Sequence, residues 1–499
     1  MPGARSVWLA CRAGGLPYAS ASTVSAAWQR AAERLHTAQH GAQDYSSSAS
    51  GVGVALPHLT RTGCIYLDYN ATTPIFPEVA AEMAPFLFEH FGNPSSGHTY
   101  GKVCKAALDT ARSRLAQLLR AEEPGEIHFT SCGTESDNWA LYGAVMAARA
   151  AQARQQQQAQ GQGQHQGGRQ APPPHVVTSA VEHPALLVHL RHLQEQGLLT
   201  YTAVPVDGEG LVDPEQVAAA VQPNTALVTV MHSNNEVGAV QPIAEIAAAA
   251  RQAHARANAA AAACGGGGGG GQAGAPAPPA GLLVHSDAAQ STGKVELDVG
   301  ALGVDALTIV GHKFGAPKGV AALYIRRGVH LANYFYGGGQ EAGRRAGTEN
   351  VMQVVGLGAA AELARREDSQ LRRHMADMAA RLLAAVRAAV RPEDQDKLRL
   401  NGPSDPARRL PNTLSLSIRG LNSAVALQRL SAQLAASAGA ACHSADGESV
   451  SAVLKAMKVP LEFAAGTLRL STGRHTTGEE VDRAARLIVQ EAQRQGVLG

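Results

Sequence analysis

From about residue 65 onward, short β-branched runs alternate with longer Ala/Leu-rich amphipathic stretches. Glu126 to Thr130, His175 to Ser179, Ala226 to Met231, Leu282 to Ser286 and Ala306 to Val310 have the near-continuous apolar character of buried strands. Glu78 to His90, Lys102 to Leu119, Gln241 to Ala255 and Glu362 to Val390 carry the spacing of helices. Strand and helix in alternation predict an α/β protein with a mainly parallel, doubly wound sheet, in which ligands sit beyond the carboxyl ends of the strands. After Val390 the elements become smaller: Thr413 to Ile418 and Thr467 to Leu470 as strands, Ala424 to Ala435 and Gly478 to Gln493 as helices. This predicts a large domain over 63–367 and a smaller C-terminal α/β domain over 368–499.

Three segments fall outside the pattern. Residues 1–62 are rich in Ala, Ser and Gly, with five arginines (Arg5, Arg12, Arg30, Arg34, Arg61) and only Glu33 and Asp44 as acids. That is the composition of an organelle transit peptide, or equally of an extension without address value. The Gln-rich run 151–174 and the Ala/Gly/Pro run 257–280, with Gly265 to Gly271 uninterrupted, bury too little apolar surface to offset their ordering and are expected to be inserts. The glycine run lacks a preceding apolar strand and a Lys-Ser/Thr ending, so it is not a phosphate loop.

With 499 residues and 45% hydrophobic character the chain can bury a large core. Lys+Arg at 43 against Asp+Glu at 41 leaves no basic excess to attract nucleic acid or anionic lipid. Its apolar runs end well short of the roughly 20 residues that span a bilayer. The 6 cysteines form no Cys-x-x-Cys pair, which fits neither zinc nor a disulfide framework. The expectation is a soluble intracellular protein with no metal, in the cytosol unless residues 1–62 direct it to an organelle.

Several strand ends carry unusual polar residues. Leu282 to Ser286 runs into Asp287-Ala288-Ala289-Gln290, and Ala306 to Val310 into Gly311-His312-Lys313. A lysine directly after a buried strand needs an anion or a covalent partner, and an aldehyde cofactor is such a partner because a desolvated amine forms a Schiff base. Asp287 would keep a pyridine nitrogen protonated and make the ring an electron sink. Gly133-Thr134-Glu135-Ser136 opens a helix whose free N–H groups suit a phosphate, or simply an N-cap. His183 after Glu182 can stack on a flat ring and move protons, and Asn234-Asn235 is a turn signal before it is a site.

The segments Tyr66 to Pro74, Gly92 to Ser96, Gly133 to Ser136, Glu182-His183, Asn234 to Gly238, Asp287 to Gln290, Gly311 to Lys313, Gly337 to Glu341, Ala346 to Asn350 and Arg469 to Arg474 jointly resemble the class V aminotransferase family of pyridoxal 5'-phosphate (PLP) enzymes, within it the NifS-like branch. The resemblance runs from about Ile65 to Gln493 and implies the PLP-dependent transferase fold type I. It implies that Lys313 carries PLP, Asp287 pairs with the ring nitrogen, Gln290 meets the ring hydroxyl and His183 stacks on the ring. Thr134 and His312, with Thr348 from a second subunit, would bind the phosphate of a homodimer. Asn235 and Arg474 would hold the carboxylate of an amino-acid substrate. Cys442, in the small-residue stretch Ser437 to Ser444, occupies the position that accepts sulfur or selenium, passing it to a reductant or an acceptor protein.

Val310 stands where many desulfurases place a serine, and His443 follows the cysteine, both of which favour a selenocysteine lyase over a cysteine desulfurase. Pro184 is neutral, and Ala342 replaces an arginine usual after Gln340-Glu341. The rival from another class is a non-catalytic scaffold of the same fold.

Loop length enters closure entropy only logarithmically, so deleting Gly265 to Gly271 is expected to move the melting temperature by no more than about 2 °C. Differential scanning calorimetry of the deletion beside wild type checks this.

Overall fold

The computed structural model describes residues 63–161, 171–264, 281–438 and 450–499. Residues 1–62 and the Cys442-His443 pair lie outside them. Strands β1 (Ile65–Tyr66) to β13 (Thr467–Ser471) follow in chain order as β2 (Ile127–Thr130), β3 (His175–Ser179), β4 (Thr200–Val204), β5 (Thr225–Thr229), β6 (Leu283–Asp287), β7 (Ala306–Val310), β8 (Ala321–Ile325), β9 (Leu398–Asn401), β10 (Thr413–Ile418), β11 (Leu434–Ala435) and β12 (Ser437–Ala438). The helices that matter for the site are α1 (Thr99–Leu119), α2 (Gly133–Gly161), α3 (Pro184–Glu195), α4 (Ile243–Cys264), α5 (Val351–Ala389), α6 (Ser423–Leu430) and α7 (Gly478–Arg494).

The seven-stranded sheet has the order β2-β8-β7-β6-β5-β3-β4. All neighbours are parallel except β8, which runs antiparallel to β2 and β7. Every residue of β3, β5 and β7 is buried, which explains their density of apolar and β-branched residues. From β3 the chain steps outward to β4 and then back past β3 to β5, so the order reverses between β3 and β5. That reversal opens a crevice at the strands' carboxyl ends, and the segments bearing His183, Asn235, Asp287 and Lys313 all emerge on that side.

A second sheet, β12-β13-β10-β9, is antiparallel. Its core joins Leu414, Leu416 and Leu470 to Leu382 and Val386 of α5 and to Val481 and Ile488 of α7. Helix α5 also packs Val354 and Leu357 into the core around the large sheet. The expected division at 367/368 therefore falls inside one continuous helix. The N-terminal β1 pairs with β11, so Ile65 and Leu67 join the core of the second sheet.

Two expectations change. Ala151 to Gly161 belongs to α2 and Ala257 to Cys264 to α4, so the two low-complexity runs begin as helix extensions. Ala, Gln and Arg are good helix formers, and a helix already nucleated extends through them. Ala424 to Ala435 ends earlier than expected: α6 stops at Leu430, and Leu434-Ala435 form β11.

Helices α1 and α5 approach closely at Gly358, where a methyl group would lie 2.6 Å from Ala111 Cα. Alanine normally gains about 1 kcal/mol over glycine within a helix. Because the obstacle here is backbone, Gly358→Ala is expected instead to cost about 2 kcal/mol, read as a lower urea midpoint with unchanged slope.

Candidate active site

Lys313 closes a single helical turn after β7. Its Nζ donates to the carbonyls of Asn70 at 2.7 Å and Ala71 at 2.9 Å. Burial lowers its pKa to about 8, and Arg469 pushes the same way, while Asp287 and Asp68 partly oppose them. Asp287 ends the neighbouring β6, is buried, and accepts from Ala289 N at 2.8 Å. Desolvation raises its pKa, against the pull of the Ala289 N–H, His183 and Lys313. His183 caps α3, its Nδ1 accepting from Ala185 N at 3.2 Å. That bond leaves the proton of the neutral ring on Nε2. Desolvation depresses its pKa, Asp287 opposing and Lys313 adding to it.

Thr134 is exposed at the first turn of α2. Gly133 is required because a methyl there would lie 2.5 Å from Val310 Cγ2, so helix and strand β7 touch at this point. Val310 therefore packs on the glycine and offers the site no polar group. His312 is half-buried with Nδ1 3.1 Å from Thr72 Oγ1, and burial with the nearby lysines lowers its pKa to about 4. Thr348 stands apart, in an open pocket with Phe335, Tyr336 and Gln340. Its loop is held by Glu341, which takes both Arg112 nitrogens and Phe129 N, and by Arg345 paired to Glu135.

Gln290 is buried, its Nε2 donating to Asn70 O at 2.9 Å and its Oε1 accepting from Lys294 at 3.0 Å. Of the two amides after β5, Asn234 makes the turn, its Oδ1 accepting from Glu236 N and Val237 N. Asn235 is held by its carbonyl, which accepts from Asn70 Nδ2 and Arg469 Nη1, both at 3.2 Å.

Arg474 lines the same small cavity as Lys313. Its guanidinium is taken up by Glu78 at 2.9 and 3.0 Å and by Glu367 at 3.0 Å, over the Phe76 ring. Arg469, which the sequence motif contained without a role, acts electrostatically on Lys313. It bonds Asp68 Oδ1 at 2.6 Å, Ser437 Oγ at 2.8 Å and the Asn235 carbonyl. Its buried Nε has no acceptor among the described residues. The signal available in sequence was its place on β13, whose alternation turns Arg469 and Ser471 to the same face.

Cys442 lies outside the described residues. The described chain leaves at Ser437-Ala438, paired to Arg469 and Leu468 of β13, and returns at Val450.

These residues fit pyridoxal phosphate on their own chemistry. Lys313 is an amine that loses its proton near neutrality, Asp287 is a fixed carboxyl able to partner a basic ring nitrogen, and Arg469 keeps a donor for an anion.

The aminotransferase class-V family model matches residues 65–156, 162–264 and 272–484. Human selenocysteine lyase is 39% identical over 456 residues, covering 89% of this chain and 94% of that protein. The cysteine desulfurase IscS of Methanosarcina thermophila is 37% identical over 436 residues, covering 87% and 93%. A solved NifS-like protein superposes with a TM-score of 0.69 at 30% identity, covering 86% of this chain and 100% of that one. A family match over most of the chain, with relatives of either activity matching nearly end to end, means that this chain belongs to the class-V aminotransferase family of PLP-dependent enzymes.

Proposed function

We propose that the enzyme converts L-selenocysteine to L-alanine and passes the selenium on. The observation that carries the reading is the convergence of Lys313, Asp287, His183 and Arg469 at the carboxyl ends of β3, β6 and β7 and on the facing β13. Bound through Lys313, PLP would draw electrons from the substrate's α-carbon. Asp287 would pair with the ring nitrogen, Gln290 with the ring hydroxyl and His183 with the ring face. Thr134, His312 and Thr348 of the partner subunit would hold the phosphate, which makes the working form a homodimer.

Arg469 and Asn235 hold the substrate carboxylate in this reading, because the Arg474 fork is already engaged by two acids. Once displaced, the Lys313 amine takes the α-proton; its lowered pKa leaves it partly unprotonated at neutral pH. As the carbon–selenium bond breaks, selenium goes to the Cys442 thiolate or to a thiol reductant, and the His183 Nε2 proton replaces it at carbon.

Selenium is preferred over sulfur because Val310 packs on Gly133 where desulfurases offer a hydroxyl, and because His443 adjoins the cysteine. A cysteine desulfurase passing a persulfide from Cys442 to an acceptor protein is the second reading, supported by the IscS relative.

Alanine release from each amino acid, with PLP and a thiol reductant present, tests this. Wild type is expected to favour selenocysteine widely. Cys442→Ala is expected to abolish cysteine turnover yet keep measurable selenocysteine turnover, since the weaker bond and more acidic selenol need less help to separate. Equal wild-type rates would favour the desulfurase, and full cysteine activity in the variant would remove Cys442 from the reaction.

A pH dependence follows from Lys313. Only its unprotonated amine attacks an aldehyde, and its pKa stands lowered to about 8. Capture of PLP by apo-enzyme, followed at ~420 nm, should slow about tenfold per pH unit below that value and level off above it. A midpoint near that of a free lysine would mean that burial does not tune the amine.

A further inference from the structure

Lys294 has no part in the chemistry above, although it is 4% exposed and lines the same small cavity as Lys313. Its Nζ donates to Gln290 Oε1 at 3.0 Å and to Asn70 Oδ1 at 3.1 Å, and among the described residues it forms no ion pair. The amide nitrogens of both residues are committed to backbone carbonyls, which can only accept, so the atoms that face Lys294 are the two amide oxygens. The orientation of both side chains follows. Gln290 Nε2 is turned to the Asn70 carbonyl, the same oxygen on which Lys313 Nζ rests at 2.7 Å. Asn70 Nδ2 is turned to the Asn235 carbonyl at 3.2 Å and to Thr413 Oγ1 at 2.8 Å.

The proton count agrees with the geometry. An ammonium carries three N–H groups and would bury one without an acceptor, whereas a neutral amine carries two for two oxygens. Burial above all, then Lys313 and Arg469, lowers its affinity for a proton.

We propose that Lys294 is a positioning residue of the cofactor site, fixing which end of the Gln290 and Asn70 amides faces Lys313. The inference rests on the reading that Lys313 carries PLP with Gln290 beside the ring hydroxyl. Without the lysine the Gln290 oxygen loses its donor, and that amide is held at its nitrogen end alone.

The test is a cycle of wild type, K294M, Q290L and the double variant, each titrated with PLP and scanned over pH at ~420 nm. K294M is expected to raise the PLP Kd about tenfold and to displace the pH midpoint of the band. The double variant should be no worse than Q290L, because the lysine acts through the glutamine. K294Q, which keeps an amide donor, should recover part of the loss; if K294M fails to fold, K294Q and Q290L complete the same cycle. Additive losses, or a K294M enzyme with wild-type Kd and midpoint, overturn the assignment. Wild type that takes up no PLP would overturn the cofactor reading beneath it, a result distinguishable from either.

Discussion

The site depends on one buried amide. Asn70, 1% exposed, has every polar atom engaged: its N–H donates to Ser471 Oγ, its carbonyl accepts from Gln290 and Lys313, its Oδ1 accepts from Lys294 and Asn412, and its Nδ2 donates to Thr413 and the Asn235 carbonyl. Ser471, Thr413 and Asn412 belong to the second sheet or its edge, whereas Gln290, Lys313 and Asn235 follow strands of the large one. A buried polar group left without a partner costs about 1–3 kcal/mol, so the two sheets cannot shift against each other here without breaking several such bonds at once. The flanking residues tighten the same strap: Thr73 bonds the His312 carbonyl through N and Oγ1, and Asp68 pairs with Arg469. The crevice that receives the substrate is thus closed on one side by a segment from the start of the described chain.

That arrangement concentrates charge where water is scarce. Lys313, Lys294 and Arg469 stand within reach of one another, and each lysine loses proton affinity through burial and through its cationic neighbours. Beneath them Asp137, Glu182 and Asp287 are buried together, and burial first, then mutual repulsion, raises the pKa of Asp137 well above its usual value. Asp137 Oδ1 has no hydrogen-bond partner among the described residues and lies 3.9 Å from His285 Nε2, itself bonded to Thr308. At Asp287 the same burial raises the pKa, and the Ala289 N–H, His183 and Lys313 pull against it. The cost of burying these groups is met by the surrounding core of the large sheet.

Much of this was legible in the sequence, for reasons that also explain the failures. Strands β3 and β7 coincide with the expected runs because strands covered on both faces are rich in apolar and β-branched residues, here Val176, Val177, Ile309 and Val310. Strand β4 escaped because it is an edge, with Thr200 and Ala203 exposed, and β8 because Ala321 and Ala322 read as helix formers. Lys313, Asp287 and His183 could be found because each stands at the end of such a run. The parts played by Asn70, Lys294 and Arg469 could not, since they are set by partners up to 401 positions away. Arg474 and Arg469 are both plausible carboxylate ligands in a string of letters; what distinguishes them is two acids on Arg474 against one acid on Arg469 and an Nε unpartnered among the described residues.

After β2, β3 and β5 the same division of labour recurs, and it accounts for why the site's signals there come in adjacent pairs. A buried strand that stops leaves backbone N–H groups that must find acceptors before the next helix begins. Glu182 meets that need for β5 by accepting from Met231 N, at the expense of a pKa pushed up to about 8 by burial, and its neighbour His183 is left to face the crevice. Asn234 makes the turn after β5 so that Asn235 can point elsewhere. Glu135 accepts from Ser131 N and anchors Arg345, leaving the adjacent Thr134 at the exposed helix start. One residue of each pair holds the backbone in place, and the other is thereby presented at a fixed position. Replacing the first of a pair should therefore damage the site almost as much as replacing the second, although it never touches substrate.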